Sequence, residues 1–376
     1  AAPLTPPHGM QVAATPGTFT LYYPKWIPGE HGPSGPLKDV AGFTVSANGA
    51  TLPWRRDLLD MNAIHLEVPA GANVLDIKQD FLLPQGGSFS SGSSASDSLL
   101  VINWNQVLVY ADDGRSADAI PFAPSLMLPA GCKYVTSLQP TGDTEGRVEF
   151  APVSLEKLID SPVAAGLHVR VIDITPPGTV PHHLDLIADS AAAIDIKPEL
   201  IEKHRRLVRE MLALFGARHY DHYDFLFTLS DQVEHFGLEH HESSDDRLSE
   251  KALTDDDHLK SGASLLPHEM FHSWNGKYRR PAGLATPDSS TSARLWKSAS
   301  CQRLTSEPTV RFRSYTSGRR RSRRYVPLPR RRSRRSSFTS CASACRTVTR
   351  LTAYSRASSS SGEMRCPAVH SPASMR

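Results

Sequence analysis

Two histidines and a glutamate in the sequence HEMFH have the residue types and the spacing of a metal-dependent hydrolytic site. His268 and His272 are four residues apart, so a helix would place both imidazoles on one face, one turn apart, where they can bind one metal ion. Glu269 lies beside them and can hold a metal-bound water. Zinc lowers the pKa of such a water to about 7, and the carboxylate then takes its proton as a general base. The pattern predicts a zinc site, with the alternative that the histidines only cap or pack the helix.

The sequence before this motif predicts the elements that must position it. Residues 18–175 are typical of β structure, because short apolar runs alternate with clusters of Pro, Gly, Asn and Ser. The runs are FTLYY (19–23), AIHLEV (63–68), LLVINW (99–104) and VLVY (107–110). The stretch GGSFSSGSSAS (86–96) predicts a flexible surface loop. We therefore expect an irregular segment at 1–17 and a β-sandwich-like N-terminal domain at 18–180.

The pattern changes near residue 190, which predicts a second domain at 181–295. Apolar residues of the segment 198–217 recur at helical spacing, and Gly216 is suited to the helix end. The segment 222–231 predicts a strand, and 239–258 reads as a polar, acidic loop. The motif follows, with Pro267 either opening or kinking its helix. The whole chain is thus expected to be an α+β multidomain protein.

The last 76 residues differ in charge from the rest. They contain 18 of the 42 basic residues and only two acids, so the tail carries +16 and residues 1–300 carry −13. The segment 296–376 is rich in Arg and Ser, which predicts a basic, disordered tail. A shifted reading frame is the favoured explanation of this unusual composition, and a genuine disordered tail is the alternative.

Composition excludes several classes of protein. No run of 18 apolar residues exists, so no membrane span is expected. Four of the five cysteines lie in the tail, which rules out a disulfide framework, and no CxxC zinc motif occurs. The opening AAPLTPP shows no leader, so we expect a removed leader or a fragment. The compartment and the oligomeric state stay open, with the periplasm or secretion slightly preferred over the cytoplasm.

Several longer blocks carry a resemblance to a known family. They are LYYPKWIPGEHGPSGP (21–36), LPWRRDLLDM (52–61), WNQVLVY (104–110), HYDHYDFLFTLSD (219–231), GLEHHESSDD (237–246) and LLPHEMFHSWNGKYRRPAGLATPD (265–288). Over roughly residues 18–288 the sequence resembles the M61 glycyl aminopeptidase-like zinc metallopeptidases. The resemblance implies an N-terminal β domain followed by a partial, thermolysin-like catalytic domain.

The resemblance also implies roles for individual residues. His268 and His272 would bind Zn²⁺, and Glu269 would be the catalytic base. Glu239 is similar in placement to the acid that binds the free amino terminus of the substrate in related aminopeptidases; the alternative is a surface or helix-capping acid. His240 and His241 are expected to be solvated loop residues.

The sequence departs from the family pattern at the third zinc ligand. The resemblance implies a Glu within a Trp-x-x-Glu-Gly-like run after Trp296, but Ala299 and Ser300 stand at the Glu and Gly positions. The remaining downstream acids are Asp288, Glu307 and Glu363. Because catalytic zinc normally takes three protein ligands, we expect weak or absent turnover.

Three functions follow from these residues. The first is a zinc aminopeptidase that removes small N-terminal residues, such as Gly or Ala, from peptides. The second is a catalytically inactive homologue that binds peptides. The third is a nucleic-acid binder that uses the Arg-rich segment 319–335, which we consider the weakest because neither interleaved aromatic residues nor a folded RNA-binding module accompanies it.

Overall fold

The computed structural model describes residues 9–26, 29, 33, 35–83, 92–144, 146–255, 258–259 and 262–279, together with the backbone of four short strands between 350 and 365. These residues are mostly β-sheet with few helices. None of the described helices is long and apolar enough to cross a membrane.

Residues 9–167 form three sheets. The first contains β1 (Met10–Ala13), β3 (Val40–Ala47), β4 (Ala50–Leu52), β7 (Val74–Leu82), β11 (Pro121–Met127), β13 (Pro140–Thr144), β14 (Arg147–Phe150) and β15 (Val153–Ser154). The second contains β2 (Gly17–Tyr22), β5 (Trp54–Arg56), β6 (Ala63–Val68) and β10 (Tyr110–Ala111). The third contains β8 (Ser94–Ala95), β9 (Leu99–Ile102), β12 (Lys133–Thr136) and β16 (Val163–Gly166).

One hydrophobic core joins these sheets. Strands such as β7 alternate buried and partly exposed residues, because successive side chains of a strand point to opposite faces. The buried faces meet around large side chains, including Trp104, Phe81, Phe122 and Tyr23. The prediction of an N-terminal β domain is therefore confirmed, and β6 has the predicted bounds.

A five-stranded mixed sheet carries the rest of the described chain. Its strands are β17 (His168–Asp173), β18 (His182–Ala188), β19 (Tyr223–Leu229), β20 (Phe236–Glu239) and β21 (Ser243–Leu248). The spatial order is β17-β18-β19-β21-β20, in which β18, β19 and β21 are parallel and both edge strands are antiparallel to their neighbours. The boundary near 181 stays a prediction.

Three α-helices complete the described elements. They are α1 (Leu155–Ile159), α2 (Pro198–Phe215) and α3 (Leu265–His272), with short 3-10 turns at Leu37–Asp39, Trp104–Gln106 and Ala117–Ala119. Helix α2 confirms the helix predicted in the segment 198–217. Gly216 ends it as expected, with a φ of 66°, a left-handed conformation that favours glycine. Helix α3 contains the HEMFH motif.

Four short segments of the tail pair with the first sheet. They are β22 (Arg350–Ala353), β23 (Ser355–Ala357), β24 (Ser361–Gly362) and β25 (Met364–Arg365). Strand β22 pairs with β7, and the other three pair with β11. The remainder of the predicted disordered tail lies beyond what the structure describes.

Three local predictions were wrong. Only Tyr110 of the run 107–110 is in a strand, because a 3-10 turn at 104–106 precedes it, although the whole run is buried. The described end of the predicted surface loop, 92–95, is mostly buried against the second domain. The predicted acidic loop at 239–258 contains the buried strand β21.

Candidate metal centre

Helix α3 places the two motif histidines on one face. Pro267 lies in the first turn of the helix, where backbone N–H groups have no intrahelical partner, so its missing N–H is tolerated. The imidazole rings of His268 and His272 are 4.9 Å apart and nearly perpendicular. Their Nε2 atoms lie 3.3 Å from each other. The helical spacing thus brings two ring nitrogens to one point in space.

One hydrogen bond indicates which ring nitrogen of His272 carries the proton. Its Nδ1 lies 3.1 Å from the backbone carbonyl oxygen of Asn275. Since a carbonyl oxygen can only accept, the proton of the Nδ1 tautomer lies on this bond, and Nε2 is then the nitrogen with the lone pair. This Nε2 faces Nε2 of His268. Such a bond from the distal ring nitrogen to a carbonyl is how metal-binding histidines are usually oriented.

The donor set fits a zinc ion. Two imidazole nitrogens at about 2.0–2.1 Å from a tetrahedral zinc are separated by roughly 3.3 Å, which is the separation observed between the two Nε2 atoms. A carboxylate oxygen of Glu269 lies within 4.8 Å of both nitrogens. In the part of the chain that the structure describes, this is the one cluster of three such side chains close enough to hold a metal.

Glu269 is held in a buried position against β20. Glu269 is 4% exposed. A Cβ atom on Gly237 would lie only 2.1 Å from Glu269 Oε1. Glycine at this position therefore leaves room for the carboxylate. Burial raises the pKa of Glu269 to about 7, with further increases from Glu239 and Asp245 and an opposing effect of Lys277. A carboxylate with such a pKa can take and release a proton near neutral pH.

Glu239, the predicted amino-terminus binder, lies on the same side of the sheet as the motif. It is two residues after Gly237 on β20, so both residues face helix α3. The loop that carries Gly29 approaches it closely, because a Cβ on that glycine would lie 2.9 Å from Glu239 Oε2. The carboxylate is partly exposed. The structure thus brings a second acid next to the base, facing a loop of the first domain.

Strand β21 places further acids beneath the motif helix. Asp246 pairs with Gly237 across the strands and is fully buried. Burial raises the pKa of Asp246 well above its ordinary value. Ser244 donates to Asp246 Oδ2 at 2.5 Å. No role was predicted for these residues, because their polar run was interpreted as a loop.

The prediction that His240 and His241 are solvated was wrong for His240, and His241 is half-buried. His240 is 1% exposed, and its Nδ1 donates to Asp160 at 3.0 Å. The backbone N–H of His241 donates to the other oxygen of Asp160 at 2.9 Å. Lys277, which follows the end of helix α3, also binds Asp160. Nothing in the local sequence pointed to Asp160, whereas Lys277 lies in a block that carried the family resemblance.

Several predicted residues lie outside the described part of the chain. They are Asp288, Ala299, Ser300, Glu307 and Glu363. The prediction about the third zinc ligand therefore stays a prediction.

Comparison with known proteins identifies the class and then the family. Residues 9–167 match the family model of the peptidase M61 N-terminal domain, and residues 261–297 match that of the M61 glycyl aminopeptidases. Over these two segments the chain resembles the M61 peptidases. It belongs with the M61 aminopeptidase-like proteins, as the sequence blocks predicted.

Aminopeptidases and zinc metallopeptidases are among the solved structures that match. An aminopeptidase N family protein from Idiomarina loihiensis is 20% identical with a TM-score of 0.56, and the match covers 72% of this chain. An M1 zinc metallopeptidase from Deinococcus radiodurans is 16% identical over 69% of this chain and 57% of its own, with a TM-score of 0.41. The chain spans 45% of the Idiomarina protein, so this likeness shows the fold alone. A comparison with curated proteins gave no match.

Proposed function

We propose that the chain is a zinc-dependent aminopeptidase with a thermolysin-like catalytic region, acting on peptides with small N-terminal residues such as Gly or Ala. One observation carries the proposal: two imidazole nitrogens 3.3 Å apart lie beside a buried carboxylate with a raised pKa. A second carboxylate, Glu239, faces the same side of the sheet. The preference for Gly or Ala rests on the family resemblance.

Each side chain of the candidate site would have a separate role in hydrolysis. His268 and His272 would hold the zinc ion, which when bound would polarise the scissile carbonyl and acidify a water. Glu269 would accept the proton of the attacking water and pass it to the leaving amine, for which a pKa of about 7 is suitable. Glu239 would bind the α-ammonium group of the substrate by a charge-assisted hydrogen bond, which selects cleavage at the amino terminus.

Turnover is expected to be weak. The resemblance implies a third ligand where this chain has Ala299, and two protein ligands bind zinc less tightly than three. The same substitution favours the second candidate function, a peptide-binding homologue that does not cleave.

Hydrolysis of glycyl- and alanyl-p-nitroanilide with added Zn²⁺ tests the proposal. We expect slow turnover that a chelator abolishes and that Glu269→Gln removes. Glu239→Gln should raise KM for these substrates. It should not change the binding of an N-acetylated peptide, which has no α-ammonium group. Metal analysis by mass spectrometry provides the second measurement. Zinc-independent turnover, or turnover unchanged in Glu269→Gln, would refute the peptidase proposal, whereas saturable peptide binding without cleavage would select the inactive homologue.

A further inference from the structure

Asp160 is a partly buried anion of the first domain that binds three groups of the second. It follows helix α1 as its C-terminal cap. Its Oδ1 accepts from His240 Nδ1 at 3.0 Å and from Lys277 Nζ at 2.9 Å, and its Oδ2 accepts from the backbone N–H of His241 at 2.9 Å. Burial acts to raise the pKa of Asp160, but Lys277 and His240 outweigh it and hold the pKa well below its ordinary value. The group is therefore a permanent anion with both oxygens bound.

Lys277 connects this anion to the turn that follows the motif helix. Its side chain is 4% exposed, so its ammonium group is committed to Asp160. Its backbone N–H donates to the carbonyl oxygen of His272 at 3.0 Å. Gly276, with a φ of 135°, lets the chain turn back over the His272 ring, where a Cβ would lie 3.3 Å from Nδ1. This turn presents the Asn275 carbonyl oxygen to His272 Nδ1.

A second set of contacts holds the other side of the same helix end. The hydroxyl group of Ser273, the residue after His272, donates to the carbonyl oxygen of His241 at 2.6 Å. Because the N–H of His241 binds Asp160, the loop after Glu239 and the end of helix α3 are fixed to one carboxylate. Removing one partner of such a largely desolvated ion pair is costly, so the variants below should disturb this arrangement.

We propose that Asp160 is a positioning residue that, through Lys277 and the turn at 275–277, holds His272 with its Nδ1 proton on the Asn275 carbonyl and its Nε2 lone pair directed at the metal position. The first domain thereby sets the tautomer of a ligand in the second. This inference rests on the proposed metal centre for its functional meaning, but the orientation of His272 is a property of the metal-free chain.

The primary experiment measures the His272 tautomer directly. The full chain, labelled with ¹⁵N-histidine and kept metal-free, is studied by long-range ¹H–¹⁵N NMR, with His272→Gln to assign the signal. We expect Nδ1–H in the wild type, and a mixture of tautomers in Asp160→Asn and Lys277→Met. Lys277→Arg, which keeps a charged donor, should restore much of the wild-type tautomer pattern.

Asp189→Asn is the matched control. Asp189 also joins the two domains, because it accepts from Ser98 of the first and Ser230 of the second. Asp189 directly follows β18, at the end of the strand that is farther from the site. Its loss should therefore destabilise the interface and leave the His272 tautomer unchanged. Should Asp160→Asn not fold, Lys277→Met decides the case, since it leaves Asp160 with two of its donors.

Titration with Co²⁺, followed by visible absorption, gives the second measurement. Changes to groups that orient a metal ligand typically weaken metal binding about 10–100-fold, and we expect such a loss in Asp160→Asn and Lys277→Met but not in Asp189→Asn. Absence of Co²⁺ binding in the wild type would refute the metal centre, while a changed His272 tautomer would still support the positioning role. An unchanged tautomer in folded Lys277→Met overturns the inference, whatever the metal does.

Discussion

Replacing Glu269 by Gln tests whether the candidate base is held at an energetic cost. The side chain is 4% exposed and has Glu239 and Asp245 nearby, and its pKa is raised to about 7. The folded protein therefore binds the Glu269 proton more tightly than the unfolded chain does. Stability is lost as the pH rises from the unfolded pKa of 4.5 through 7, and the loss is constant above that.

The difference between a pKa of 4.5 and one of about 7 corresponds to a free energy of about 3 kcal/mol. Gln has nearly the same shape and does not ionise, so Glu269→Gln removes this cost and leaves the packing intact. The variant should unfold like the wild type near pH 4.5 and should be more stable by about 3 kcal/mol at pH 8. A functional group held against its preferred protonation state is a common reason why active sites reduce stability.

Urea denaturation of both proteins at half-unit steps from pH 4.5 to 8.5, with a chelator present, measures this difference. Glu199→Gln, at an exposed position in the first turn of α2, serves as the control and should change stability by less than about 0.5 kcal/mol at every pH. A Glu269→Gln effect that does not depend on pH, or that destabilises at pH 8, would refute the reasoning about burial.

Three other substitutions test the surroundings of the site. Gly237→Ala places a Cβ 2.1 Å from Glu269 Oε1, so it should displace the carboxylate and reduce turnover by about 100-fold or more while Co²⁺ affinity stays within about twofold. Asp185→Asn should stabilise progressively between pH 4 and 8 in urea melts, because burial raises the Asp185 pKa to about 8 and the ionised unfolded form is favoured across that range. Arg247→Met leaves the charge of Asp245 buried without its partner and should cost about 3–5 kcal/mol, seen as a lowered Tm; an unchanged Tm would contradict the importance of that ion pair.

The fold was predictable where local pattern and burial agree. Residues 198–217 have one apolar face at helical spacing and a glycine at the end, and they form α2. The run 63–68 alternates in a way that suits a strand with one buried face, and it forms β6. In both cases the hydrophobic effect acts on a pattern contained within a few turns or residues.

Strand β21 shows why the rest could not be predicted. Its sequence, SSDDRL, has the composition of a solvated loop, yet its first five residues are buried. The structure supplies partners for Arg247, which forms two hydrogen bonds with Asp245 of the same strand. Arg247 also contacts Gly92 and Ser94 of the other domain and lies 4.2 Å from the centre of the Phe236 ring. Buried polar groups are tolerated only when such partners exist, and a linear sequence does not show them.

The same division separates the two kinds of residue at the candidate site. His268, Glu269 and His272 were predicted because one helical turn brings them together, and the helix forms as expected. Asp160 lies 117 residues before Lys277 and has no motif around it, so its contribution arises only when the two domains pack. A ligand is useful to a metal only in the right tautomer and orientation, which the helix alone does not determine. The motif therefore specifies which atoms could bind the metal, whereas the contacts of Asp160 specify whether His272 is ready to bind it.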